Sequence, residues 1–238
     1  MELVIDTSTD WGGIAVSDKG ELIAEITWHP GQDHTSELTP NIKRLMEIAE
    51  IDFTNLNAIF VAIGPGSFNG LRAGISTAKS LAFSLNIPII GVPTLEIEAY
   101  PFAFTGLPIC PIHDAGRGEI AAAIYTTVNN TWKCSVDIHI TTLEKLCALT
   151  KGKTIFCGEV SSDHISYLET KLPGNSLIPG WPQRLRRPCS LSELGWKQLG
   201  AGKVDDVATL QPIYLRQPSI TQPKKQMLRK QRLQNNEL

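Results

Sequence analysis

The sequence predicts an α/β fold built from two duplicated βββαβαβα halves. Three observations point there. The first hundred residues run through three short apolar stretches separated by turn formers, then alternate strand-like and helix-like patterns. The stretch "NAIFVAI" is apolar throughout, as in a parallel-sheet strand buried on both faces. And "LPICPIHDA" answers "MELVIDTS": each is an apolar strand closing on an aspartate, Asp114 and Asp6, the mark of an internal duplication.

Taken in order, "ELVIDTS", "GGIAVSD" and "ELIAEITW" read as three strands of an antiparallel meander joined by tight turns. Leu38, Ile42, Leu45, Met46 and Ala49 then recur on one helical face. Asp33 or Thr35 is the expected cap, and Pro40 must sit in the first turn or kink the helix. After "NAIFVAI" comes the turn Gly-Pro-Gly-Ser-Phe-Asn-Gly and a helix from about Gly70 to Leu85. "IPIIGV" is a strand, and "PTLEIEAY" opens a helix with Pro93 near its start. The second half gives three strands in "PICPIHDA", "EIAAAIYTT" and "KCSVDIHIT". A helix "TLEKLCALT" capped by Thr141 or Thr142 follows, then a strand "KTIFCGE" and a helix "SDHISYLETKL". The Pro-, Gly- and Trp-rich stretch from Gly174 to Pro188 reads as an irregular connection before a helix from Ser190 to Leu199. The expected division is an N-terminal domain over 1–104, a C-terminal domain over 105–216, and a basic tail over 217–238.

Composition narrows the function. The chain has 238 residues, 42% apolar and 19% charged, enough for an ordinary core. Its net charge of −2 is uneven. Residues 217–238 carry Lys224, Lys225, Arg229, Lys230 and Arg232 against Glu237, so the body is acidic and a poor stand-alone binder of nucleic acid. The tail itself has the polar composition of a solvated end, with contact to tRNA as the functional alternative. The 5 cysteines stand singly with no C-x-x-C, which fits a reducing cytosol and a cytoplasmic protein. No apolar run nears the roughly 20 residues of a membrane span, and the chain starts straight into a strand with no signal peptide.

The glycine-rich turn has two readings. Free N–H groups at the following helix start suit an anion, with Asp6, Thr7, Ser8, Gly64, Gly66 and Ser67 as the nucleotide or phosphate contacts. But no Gly-Lys-Ser/Thr follows, so this is not a P-loop, and Ser67 or Asn69 can cap those groups instead. The helix beyond is rich in small residues (Ala73, Gly74, Ser76, Ala78, Ser80, Ala82), which let another helix approach closely. The spacing favours packing over phosphate binding. Asp6 at a strand end could hold Mg²⁺ through water or bond its own turn. In "HDAGRGEI", pairing of Asp114 with Arg117 across the turn is a sufficient account. The five histidines form neither H-E-x-x-H nor H-x-x-x-H, and no G-x-S-x-G is present, so no catalytic residue and no metal site is assigned.

A duplicated βββαβαβα half is the layout of the actin/Hsp70/sugar-kinase group. Within it, "VIDTST", "HTSELTPNI", "GPGSFNGLRAGISTAKSLA", "GVPTLE", "DAGRGEIAAAIY" and "PIYLR" resemble the bacterial TsaB (YeaZ) family, over about residues 3–216. The chain departs from the family pattern at Asn69, at Ala73, and at Gly116, which intervenes before Arg117. The resemblance implies a non-catalytic subunit in making N6-threonylcarbamoyladenosine at position 37 of tRNAs that read ANN codons. The catalyst there is a TsaD subunit, joined by a TsaE ATPase. The resemblance also implies pairing with TsaD, or with a second copy in a homodimer, through the first two helices. The expected interface is His34, Leu38, Ile42, Leu45, Leu71, Arg72, Ile75, Ala78, Lys79 and Ala82. These faces are then expected to stay bare in the lone chain until a partner covers more than about 1,000 Å². Thr94 and Glu98 stand where TsaD-like chains carry the two histidines of a metal site, and one carboxylate cannot make that site. No cofactor of the chain's own is implied; ATP or ADP at the partner junction is. The alternatives are a small-molecule kinase or ATPase of the same fold group, using Asp6 and Asp114, and, last, a peptidase.

Overall fold

A computed structural model describes residues 1–29, 34–129 and 131–216, with the backbone alone at His34 and Thr35. The first half lays down β1 (Glu2–Asp6), β2 (Gly12–Asp18), β3 (Glu21–Trp28), α1 (His34–Ile48), β4 (Ala58–Ala62), α2 (Phe68–Leu85), β5 (Ile89–Val92) and α3 (Thr94–Ala99). The second lays down β6 (Ile109–Gly116), β7 (Glu119–Val128), β8 (Thr131–Thr141), α4 (Leu143–Leu149), β9 (Thr154–Gly158), α5 (Ser162–Lys171), β10 (Ser176–Leu177), α6 (Trp181–Arg184) and α7 (Pro188–Gly200). The two sheets have the same order, β3-β2-β1-β4-β5 and β8-β7-β6-β9-β10. In each, the first strand pairs antiparallel with the second and parallel with the fourth; Val4 lies opposite Ala15 and Phe60, and Cys110 beside Phe156. The duplication is therefore present in topology, in two five-stranded mixed sheets of the same strand order.

Alternation along the strands sorts the cores. Leu3, Ile5, Ile14, Val16, Ile59 and Val61 face α1 and α2, while Val4, Ala15, Phe60, Ile90 and Val92 face the opposite way, toward Leu191 and Leu194 of α7. In the second sheet, Cys110, Ile112, Ala122 and Phe156 pack with Leu146 of α4 and Leu168 of α5. The other face, with Ile109, Ala123 and Tyr125, packs on Leu95 and Ala99 of α3. The last described helix of each half thus covers the sheet of the other half, and α3 and α7 form a central layer.

Local details differ from expectation in three places. Pro40 sits in the second turn of α1 rather than the first, exposed, six residues after the helix begins at His34. Asp33 lies outside the described residues, and Thr35 is inside the helix. The 174–188 stretch is not wholly irregular: it contains β10, two residues long, which closes the second sheet beside β9, and the short α6. Among the described residues no helix is long and apolar enough to cross a membrane.

Candidate functional site

The face expected to meet a partner is the core of the chain itself. Leu38, Leu71 and Ala82 are 1% exposed or less, Leu45 and Ala78 0%, and Ile42 and Ile75 3% and 4%. The reason is geometric. α1 and α2 lie side by side on the first sheet, and their apolar stripes point down onto Leu3, Ile5, Ile14, Ile59 and Val61. The expectation that these seven side chains await a partner is overturned. His34 opens α1, but its side chain lies outside the described residues. What the pair turns outward is another stripe: Asn69, Arg72, Ser76, Ser80 and Phe83 on α2, the last 80% exposed, with Lys43, Arg44, Glu47 and Ile48 on α1. The small-residue helix does offer a surface, one face round from the apolar one.

Lys79 and Arg72 have partners within the chain, both from the segment after α7. Lys79 Nζ donates to the carbonyls of Ala208 and Leu210, each at 3.1 Å. Arg72 lies over the Phe68 ring, 4.0 Å from its centroid, and its Nε donates to the Tyr214 hydroxyl at 3.2 Å. The same segment caps the free edge of β5, with the Gly91 N–H donating to the Asp205 carboxylate and the Asp205 N–H to the Ile89 carbonyl, and Ile213 N–H donates to the Ile63 carbonyl just past β4. Lys79 thereby anchors the segment that follows α7.

The glycine-rich turn packs on the end of β1. Ser67 N–H donates to the Ser8 carbonyl at 2.7 Å, and the Thr7 hydroxyl donates to the Gly70 carbonyl at 2.7 Å. A Cβ at Gly66 would lie 1.9 Å from the Ser8 carbonyl oxygen, and one at Gly70 2.0 Å from that of Thr7. The glycines admit backbone against backbone. Ser67 is the cap of α2, accepting from the Gly70 N–H, while Asn69 is exposed. So Thr7, Ser8, Gly66 and Ser67 make hydrogen bonds or contacts within the protein, and Gly64 donates its N–H to the Thr94 hydroxyl at 3.1 Å. Replacing Gly70 with Ala should destabilise the protein by about 1–3 kcal/mol, because backbone cannot move aside as a flexible side chain can. A urea unfolding curve indistinguishable from the parent would contradict this contact.

Between the halves lies a buried ionic chain that sequence reasoning missed. Arg186, just ahead of α7, reaches Asp6 at the end of β1 with Nε and Nη2, Glu98 of α3 with Nη1 at 3.0 Å, and the Thr9 hydroxyl at 2.9 Å. Glu98 also bonds His113 Nε2 of β6 at 2.7 Å. The Arg186, Asp6, Glu98 and His113 side chains are each 7% exposed or less. The two carboxylates thus share one guanidinium, whose fork reaches both. The one available signal was the dense "RLRRP" ahead of a helix; nothing local tied it to Asp6. Asp114 instead accepts the Gly116 N–H at 2.8 Å within a turn where Gly116, Arg117 and Gly118 all have positive φ, and Glu119 pairs with Arg216. The expected Asp114–Arg117 pairing is replaced by this local bond.

His113 makes the network pH-dependent. Burial favours its neutral form, but the charge and hydrogen bond of Glu98, aided by Glu159, outweigh burial and the opposing Arg186, and its pKa lies above the ordinary value. A raised folded-state pKa gives stability that is fully present below the unfolded value of about 6.5 and is lost as pH rises through the folded value. Unfolding free energy should therefore fall with rising pH across that window, and His113→Gln should flatten the fall. An equal slope in the variant would remove His113 from the account.

Comparison with known proteins places this geometry. The family model described as TsaD, tRNA N6-adenosine threonylcarbamoyltransferase, matches residues 22–170. The tRNA threonylcarbamoyladenosine biosynthesis protein TsaB of Bacillus subtilis (strain 168) is 34% identical over 218 residues, covering 90% of this chain and 93% of that one. The TsaB of Escherichia coli (strain K12) is 36% identical over 97 residues, 41% of this chain and 42% of that one. YeaZ from Pseudomonas aeruginosa has the same fold, with a TM-score of 0.76 at 21% identity, over 90% of this chain and 99% of its own. By its match to the Bacillus protein over nearly the whole length of both, the chain belongs to the TsaB (YeaZ) family of tRNA threonylcarbamoyladenosine biosynthesis proteins.

Proposed function

We propose that this chain is a non-catalytic subunit that binds a TsaD-like catalytic subunit and supports its transfer of a threonylcarbamoyl group to N6 of adenosine 37 in tRNAs reading ANN codons. The observation that carries the reading is the state of the cleft. Asp6 and Glu98, two carboxylates that chemistry there would call on, are both engaged by the buried Arg186. Thr94, at the other position of the metal pair in TsaD-like chains, has its hydroxyl on the Gly64 N–H. A fold in which Asp6 and Glu98 already share an internal cation is suited to present a surface rather than to run a reaction.

That surface is the outward stripe of α2, with Ser76, Ser80 and Phe83, beside the outward face of α1. Small residues there let a partner helix approach to within about 8–10 Å, and Phe83 is a ready anchor. A second copy of the chain can use the same stripe in a homodimer. In this reading a TsaE-like ATPase joins the complex, an adenine nucleotide sits at the partner junction, tRNA is met through the assembly, and the complex works in the cytoplasm. Co-expression with a TsaD-like protein, followed by an assay for the modified nucleoside with and without this chain, is the test. Modification should require the chain, and Ser80→Arg should end co-purification while the fold survives. Co-purification of Ser80→Arg at the parent's level would move the interface elsewhere. ATP turnover by the chain alone would favour the kinase or ATPase reading instead.

A further inference from the structure

The cleft holds a second feature that the subunit reading does not use. Beside Arg186 lies a cavity of about 400 Å³, lined among others by Trp11, His29, Glu98, Glu159, Trp181 and Arg184. Two of these groups each keep a buried polar atom without a hydrogen-bond partner, Glu98 Oε2 and Arg184 Nε. The Glu98 side chain is 5% exposed, and its other oxygen takes both His113 and Arg186. Arg184 spends Nη1 on the Val160 carbonyl at 2.5 Å, which leaves Nε unanswered. A carboxylate oxygen lacking a donor and a guanidinium N–H lacking an acceptor are each costly in a protein interior. Two such atoms, on residues that line one cavity, point to a ligand that supplies both.

Charge decides what kind. One unpartnered atom belongs to an anion and the other to a cation, so opposite charges on one ligand answer both through charge-assisted bonds, which are stronger than those of a neutral amide edge. A phosphate ester fits poorly. Glu98, Glu159 and Asp10 line the cavity, and of its two arginines Arg186 is already engaged by Asp6 and Glu98. The remaining wall is aromatic. Trp11 stands edge to face with His29, ring centroids 5.1 Å apart, and Trp181 is 59% exposed. Indole faces of this kind take up an apolar or aromatic side chain.

We propose that this cavity binds a free α-amino acid, its ammonium on Glu98 and Glu159, its carboxylate on Arg184, and its side chain along Trp11 and Trp181. Such a ligand would bridge α3 of the first half to the β9–α5 loop and α6 of the second. The test is thermal unfolding of the intact chain with each standard amino acid at millimolar concentration, since a ligand that binds only the folded state raises the midpoint. At least one amino acid is expected to raise it. For that one, the amide, which lacks the anionic end, and the N-acetyl derivative, which lacks the cationic end, should bind about tenfold more weakly or worse. Trp181→Ala alters an exposed side chain and keeps the fold, and should weaken the same amino acid by a similar factor. The proposal fails if no amino acid shifts the midpoint, if either blocked derivative binds as well as its parent, or if Trp181→Ala binds unchanged. None of these results bears on the partner surface, which lies on α1 and α2.

Discussion

Arg186→Met is expected to destabilise the protein by about 3–5 kcal/mol, the usual cost of stripping one member from a buried ion pair. The wild-type guanidinium is 7% exposed and serves Asp6, Glu98 and Thr9 at once. Methionine fills much of the same volume but leaves two carboxylates facing each other with no cation between them. Arg186→Lys should recover only part of the loss, because a single ammonium cannot fork between Asp6 and Glu98 as the planar group does. Urea unfolding of the three proteins measures this directly. A loss below about 1 kcal/mol for the methionine variant would mean that the network carries little of the stability assigned to it.

The second large effect is Ala78→Arg, which should abolish cooperative folding. Ala78 is 0% exposed within the core formed by α1, α2 and the first sheet. Arginine there must either bury an unpaired charge or push α2 off the sheet, and both routes exceed about 4 kcal/mol. Two residues on, Ser80 is exposed with its hydroxyl on the Ser76 carbonyl. Ser80→Arg should change stability by no more than about 0.5 kcal/mol. Near-ultraviolet circular dichroism and thermal melts separate the two outcomes. A well-folded Ala78→Arg protein would return the apolar stripe to the surface.

These two residues also mark where the sequence was legible and where it was not. β-branched runs ending in turn formers placed β1 to β3 correctly, and Ser67 ahead of a small-residue stretch placed the start of α2 within two residues. Thr142 was one of two caps named for α4. Periodicity revealed that α1 and α2 each have an apolar face, but it is blind to what covers that face. A stripe bound for the chain's own sheet and one bound for a partner have the same spacing. β10 and α6 are too short, at two and four residues, to leave a periodic signal. Arg186 meets Asp6 across 180 positions of sequence, and Lys79 meets Leu210 across 131, so no local pattern could announce either. At the cleft, Asp6 stood out in the sequence by its place at a strand end, while its counter-ion Arg186 stayed out of sight.

The exchange of α3 and α7 between the two sheets sets an order on biogenesis. All five strands of the first sheet have left the ribosome once Val92 is out, yet the face around Val4, Phe60 and Ile90 waits for Leu191 and Leu194. Through most of translation the nascent chain therefore holds a finished ladder with one wet, oily side. The last helix among the described residues is the one that dries it, so a message truncated before that helix would yield a product fit for chaperones and proteases rather than for assembly.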